Sequence, residues 1–206
     1  MMREIGRSIR VSLALWVLTA ILYPGVMLAV GLLPPLQFQA NGSILKNPQG
    51  QVIGSALIGQ SFTTNRYFLS RPSTVDYSTF TQQEFNPVNP DNIIEKTGTS
   101  GASNLAPSNP ELIKRVQLQV NNLKQLGVQP TADLVYTSGS GLDPHISLEA
   151  AKAQISRVAQ VRSLNPNQVE ILVNRNVDRR FLGIFGEPGV NLLKLNLALD
   201  NLPVTR

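Results

Sequence analysis

Residues 11–33 read VSLALWVLTAILYPGVMLAVGLL, 23 positions without a charged side chain, with Val11 and Leu33 at the ends. As an α-helix rising 1.5 Å per residue the run is about 35 Å long, which crosses the hydrocarbon core of a bilayer with some tilt. Pro24 and Gly25 would break a soluble helix. Membrane helices tolerate them because neighbouring helices re-satisfy the freed backbone groups, so they mark a place for a partner helix to pack. A cleaved secretory signal has a shorter apolar core and a small-x-small exit. This run is longer, and the PPLQFQANG that follows (34–42) offers no such exit. The segment therefore reads as an uncleaved transmembrane anchor.

Arg3, Arg7 and Arg10 precede the run, and no charge follows it until Lys46. The positive-inside bias then places residues 1–10 in the cytoplasm and residues 34–206 outside it, as a single-pass membrane protein. Composition narrows the chemistry. With 42% hydrophobic and 15% charged residues, the chain carries little charge for a free soluble protein. It has no cysteine and a single histidine, which removes disulfides, thiol chemistry and the usual ligands of a zinc site. The net charge of +5 is dispersed, with no basic run beyond Arg179-Arg180. Nucleic acid is not an expected partner, since phosphate binding needs clustered cations.

Along residues 34–206, periodicity and punctuation suggest one mixed α+β domain, with α/β as the variant. QVIGSALIG (51–59) reads as a strand, and QSFTTNRYFLS (60–70) as a strand-loop edge. Residues 71–109 form a long polar segment with aromatics at Tyr77, Phe80 and Phe85, a binding loop or a flexible insertion. SNPEL (108–112) offers Ser108 or Asn109 as cap and Pro110 in the first turn of a helix to Leu126, stopped at Gly127. Ile113, Val116, Val120 and Leu123 form its apolar stripe. DLVYT (133–137) suggests a short strand, and residues 147–164 a second helix capped by Ser147. Two further apolar runs, 169–173 and 190–199, surround the turn-rich LGIFGEPG (182–189).

TSGSGLDPHIS (137–147) is the stretch with most chemical promise. His145 stands five residues from Ser140, and the serine sits in G-S-G where a hydrolase elbow needs G-x-S-x-G. The stretch also lacks the G-K-[ST] ending of a P-loop and the G-x-G-x-x-G of a dinucleotide fold. A structural connector accounts for it better: Gly139 and Gly141 allow positive φ, Asp143-Pro144 makes a turn, and Ser147 caps the next helix. Ser138, Gly139, Ser140, Gly141, Asp143, Pro144 and His145 are thus candidates for a docking or connector loop. No catalytic residue and no metal site is expected.

Five stretches in order, IGQSFTTNRYFLSRPS (58–73), SGASNLAPSNPEL (100–112), TSGSGLDPHIS (137–147), AAKAQISRVAQVR (150–162) and LGIFGEPGVNLLKLNLALD (182–200), resemble the C subunit of the Kdp-type potassium-transporting P-type ATPase. The likeness runs through essentially the whole chain. Where the family more often has SGGSNLGPSNP and GEPRVN, this chain has Ala102, Ala106 and Gly189. The resemblance implies a non-catalytic accessory subunit that assembles and stabilises a channel-like potassium-binding subunit and an ATP-hydrolysing subunit. No aspartyl-phosphate motif is present; EKTGTSG (95–101) only echoes one, with Glu95 in place of the aspartate. The family is described as a catalytic chaperone that raises the ATP affinity of the hydrolysing subunit. On that description Gln154, followed by Arg157, is the candidate nucleotide or partner contact. No cofactor is expected on the chain itself, ATP entering through the complex, and the outward topology conflicts with a direct contact. Two readings follow, an extracytoplasmic assembly subunit and a nucleotide-binding co-catalyst; a membrane-anchored scaffold unrelated to transport is the third.

Overall fold

The structure, a computed structural model, describes residues 2–79 and 99–202, and the chain divides between Ile44 and Leu45 into two compact units. In the first unit a helix, α1, runs over Met2–Gly31 and is long and apolar enough to cross a membrane. It takes in the arginines before the apolar run and stops at Gly31, two residues short of the apolar end at Leu33. Pro24 has no N–H to offer the turn before it. The chain answers with a wider π turn at Leu18–Leu22, in which the Tyr23 N–H reaches back to Leu18 O, and helix continues to Gly31. Thr19 Oγ1 donates to Leu15 O at 2.8 Å in the same region, so its hydroxyl is satisfied within the helix. A single turn of helix, α2 (Gln37–Ala40), follows.

The second unit is a mixed helix and sheet domain. β1 (Ile44–Lys46) and β2 (Val52–Ser55) form a two-stranded sheet. Helix α3 (Pro110–Gln125) starts as the sequence suggests: Asn109 is the cap, accepting from the Glu111 N–H at 2.9 Å. Three residues of the expected stripe face inward, with Leu123 buried and Val116 and Val120 packed on the core, while Ile113 is 60% exposed.

DLVYT is not a strand. Ala132–Val135 forms the short helix α4, which buries Leu134 and Val135 and turns Asp133 to accept the Ser147 N–H at 2.7 Å. The second expected helix is real but broken, into α5 (Leu148–Lys152) and α6 (Ile155–Arg162), with the step at Ala153 and Gln154. Ser147 caps α5 through the Ala150 N–H at 3.1 Å. The 169–173 run lies in α7 (Pro166–Arg175), which opens on an Asn165/Gln168 capping box.

A three-stranded sheet, order β3 (His145–Ile146), β5 (Gly189–Asn191), β4 (Val177–Asp178), is antiparallel throughout, which makes the domain α+β rather than α/β. The register pairs His145 with Asn191 and Asp178 with Gly189. Asn191 ends β5 and caps α8 (Leu192–Asp200), accepting from the Lys194 N–H at 3.1 Å while its own amide donates to Ala56 O at 2.7 Å. The core gathers Phe68, Leu123, Leu134, Ile146, Val158, Val169, Val190 and Leu195 from these elements. Residues 80–98 of the 71–109 segment, with Phe80, Phe85 and Glu95, lie outside the described residues; its two ends are described, and both join the 137–147 loop.

Candidate functional site

Residues 60–70 form no strand among the described residues, yet their backbone is held as firmly as one. From Asn65 to Leu69, five consecutive carbonyls each accept a bond from a side chain elsewhere in the chain. Arg157 Nη1 donates to Asn65 O at 2.7 Å and Nη2 to Tyr67 O at 2.8 Å. Arg162 Nε donates to Arg66 O at 2.7 Å, Asn196 Nδ2 to Phe68 O at 3.1 Å and Gln154 Nε2 to Leu69 O at 3.2 Å. The two amides also accept: Asn196 Oδ1 from the Phe68 N–H at 2.9 Å, Gln154 Oε1 from the Leu69 N–H at 2.7 Å. Each imitates the paired bonds of a neighbouring strand, and Phe68 is fully buried between them.

Gln154 and Arg157, singled out in the sequence, are therefore brought together and turned inward. Gln154 is completely buried, and Arg157 is 7% exposed. Arg157 Nη2 also donates to Gln154 Oε1 at 2.9 Å, which locks the amide in the orientation that Leu69 needs. Burial pulls the guanidinium of Arg157 below its usual pKa, and its Nε finds no partner. The bonds to Asn65, Tyr67 and Gln154 offset that desolvation. The step between α5 and α6 has the same origin, since Gln154 sits there to reach Leu69.

The 137–147 loop is the second assembly. Ser138 is buried; its N–H donates to Pro72 O at 3.2 Å and its Oγ accepts from the Gly141 N–H at 2.8 Å. Ser140 is exposed, and its carbonyl accepts from the Gly101 N–H at 2.8 Å and from Ser100 Oγ at 2.9 Å. Gly139 is exposed beside it. Gly141 has φ +70°, and a Cβ there would lie 2.6 Å from Val75 Cγ2 and 2.8 Å from Gly101 O. Only glycine fits. Asp143 pairs with Arg71 at 2.9 Å and accepts from the His145 N–H at 3.0 Å, while Pro144 O accepts from the Leu192 N–H at 2.9 Å.

His145 lies beside acidic groups but not beside Ser140's hydroxyl, which accepts from the Leu142 N–H at 3.1 Å. Its Nε2 is 2.9 Å from Asp178 Oδ2, and Lys194 Nζ approaches the other oxygen of Asp178 at 3.5 Å. Gly189 packs on the same histidine, and a Cβ there would stand 3.2 Å from His145 Cβ. The glycine thus gives His145 room where a larger residue would press on it. Among the described residues no His, Asp and Glu side chains gather in the numbers a metal site needs.

Both ends of the 71–109 segment close on this loop. Ser73 Oγ donates to Gly141 O at 2.7 Å, and the Gly59 N–H donates to Leu142 O at 2.8 Å. Asp76, Tyr77 and Ser78 all have left-handed φ of 46° to 55°, a strained turn for residues with side chains. Tyr77 holds it: the ring is buried against Gly59 and the hydroxyl donates to Arg71 O. Burial pushes the phenol up to about 12. Two clefts open beside this framework. One, of about 490 Å³, is lined by Asn47, Gln60, Tyr67, Asn196 and Asp200. The other, of about 470 Å³, is lined by Arg71, Ser73, Asp76, Tyr77 and Gln119. The sequence reading missed Arg71, Asp133, Arg162 and Asn196, whose roles depend on partners far along the chain.

The family described as K+-transporting ATPase, c chain, matches this chain over residues 5–201. The potassium-transporting ATPase KdpC subunit 1 of a Nostoc species is 59% identical over 204 residues, covering 98% of each chain. The KdpC subunit of Microcystis aeruginosa is also 59% identical, over 217 residues, covering 99% of this chain and 98% of that protein. That of a Synechocystis species is 53% identical over 201 residues, covering 98% and 100%.

Proposed function

Since the chain belongs to the c-chain family of the K+-transporting ATPase, we propose that it is the membrane-anchored accessory subunit of an ATP-driven, high-affinity potassium uptake complex. The family match sets aside a scaffold unrelated to transport. In this reading α1 anchors the chain in the inner membrane, and the α+β domain stands outside the cytoplasm, as the arginines at 3, 7 and 10 favour. There it docks on a channel-like potassium-binding subunit and stabilises it with the ATP-hydrolysing one.

The observation that carries this reading is the fate of Gln154 and Arg157. The Gln154 amide and both Nη groups of Arg157 bond the backbone of residues 65–69, which supports a rigid docking body over a nucleotide site. The higher ATP affinity that the resemblance implies is then transmitted to the hydrolysing subunit through subunit contacts, with no nucleotide held on this chain. The 137–147 loop, stiffened by Gly141, Asp143 and His145, belongs to the docking body.

Purification of this chain, tagged and co-expressed with the remaining subunits, in mild detergent tests the proposal. Two larger membrane proteins and potassium-stimulated ATPase activity are expected to come with it. A chain that elutes alone would overturn the assignment.

A further inference from the structure

The sequence reading of LGIFGEPG as a turn leaves out what the turn displays. Between β4 and β5, Phe181, Leu182, Ile184 and Phe185 are 71%, 74%, 72% and 61% exposed. Contiguous apolar side chains in solvent are uncommon on a soluble surface and mark a place that something covers. The tip is an ordered shape. The Phe181 N–H donates to Phe185 O at 2.8 Å and the Phe185 N–H returns to Phe181 O at 3.0 Å, while Leu182 and Gly183 take left-handed φ of 53° and 75° to close the turn. Below it, Arg180 Nη2 straps the hairpin to both carboxylate oxygens of Glu187, at 2.9 and 2.8 Å. β4 and β5 then carry the tip into the three-stranded sheet.

An apolar, aromatic centre with a charged rim is the anatomy of a protein-protein contact, where a few desolvated anchors carry most of the energy. The rim decides between occupants. It contains Asp178 and Glu187 against Arg179, Arg180 and Lys194, and two of these three cations already sit against carboxylates, Arg180 on Glu187 and Lys194 on Asp178. An anionic lipid surface selects a net positive rim, because each cation near it gains by attraction and each carboxylate loses. We propose that the 181–185 hairpin is a docking knob that seats in an apolar pocket of another subunit of the same complex. This rests on the reading of the chain as a potassium ATPase subunit.

The test uses the whole complex, with the photo-reactive residue p-benzoylphenylalanine in place of Leu182 or Ile184, and in place of the exposed Gln168 on α7 as control. Illumination is expected to give an adduct with a partner subunit, identified by mass spectrometry, about tenfold above the control. The double variant Leu182→Asp with Ile184→Asp is expected to lower partner co-purification about tenfold or more, since hot-spot anchors cost upward of a factor of ten each. Its melting temperature stays that of the parent, because neither side chain is in the core. Adducts confined to lipid, a yield no higher than at Gln168, or a double variant that keeps its partners overturns the knob. If the parent chain itself brings down no partner, the functional reading falls and the knob with it.

Discussion

Gln154 makes in one side chain the bonds that a neighbouring strand would make with two backbone groups. Its oxygen accepts from Leu69 N–H and from Arg157, and its nitrogen donates to Leu69 O and Ala150 O. Replacement by leucine keeps the volume but leaves the N–H and C=O of half-buried Leu69 without partners and buried Arg157 short of an acceptor. Gln154→Leu is expected to destabilise the domain by about 2–4 kcal/mol, the cost of orphaning buried polar groups. A thermal melt of the full chain in detergent measures it. A side chain whose role lay in a bound nucleotide would instead leave the melt unchanged and alter only ATP affinity. The sequence marked Gln154 and Arg157 as unusual within AQISRVA, yet their partners lie 85 to 92 residues away. Local spacing carries no signal for contacts of that range.

Elements bounded by local chemistry were legible; elements decided by distant contacts were not. Asn109, one of the two caps that SNPEL offers, and Ser147, at the end of TSGSGLDPHIS, cap their helices through the backbone amides two and three residues on. DLVYT looked like a strand because Leu134, Val135 and Tyr136 suit one, but burial of two of them and the bond from Ser147 N–H to Asp133 favour a helical turn. The 147–164 helix was visible as one period, but its break at Ala153 and Gln154 answers to Leu69, outside the helix. The 137–147 loop reads in sequence as a glycine-dependent connector, but nothing in its local spacing shows that it gathers residues 59, 71–77 and 100–101 around it. That assembly is tested at Gly141. Gly141→Ala adds left-handed strain, about 1–2 kcal/mol, to a clash with Val75 and Gly101 O. It is expected to lower stability by about 2–4 kcal/mol and to raise proteolytic cleavage within residues 73–101, read by limited trypsin digestion.

At the scale of the molecule, the arrangement was visible in the first 46 residues: arginines, an apolar run, and then no charge until Lys46. The helix over Met2–Gly31 and the separate mixed domain agree with an anchor followed by a folded body. The family was legible too, because its five stretches are spread through the domain, and several of them meet in space: the 58–73 stretch lies on 137–147 and on 150–162. The side of the membrane rests on charge bias alone, and the account depends on it, since a docking body outside the cytoplasm meets potassium before it meets ATP. The chain has no cysteine, so a single one introduced at the exposed Ser140 is a clean reporter. Intact cells carrying Ser140→Cys, treated with a membrane-impermeant maleimide, are expected to label fully without lysis. Protection until the cells are broken would place the domain in the cytoplasm and contradict the account.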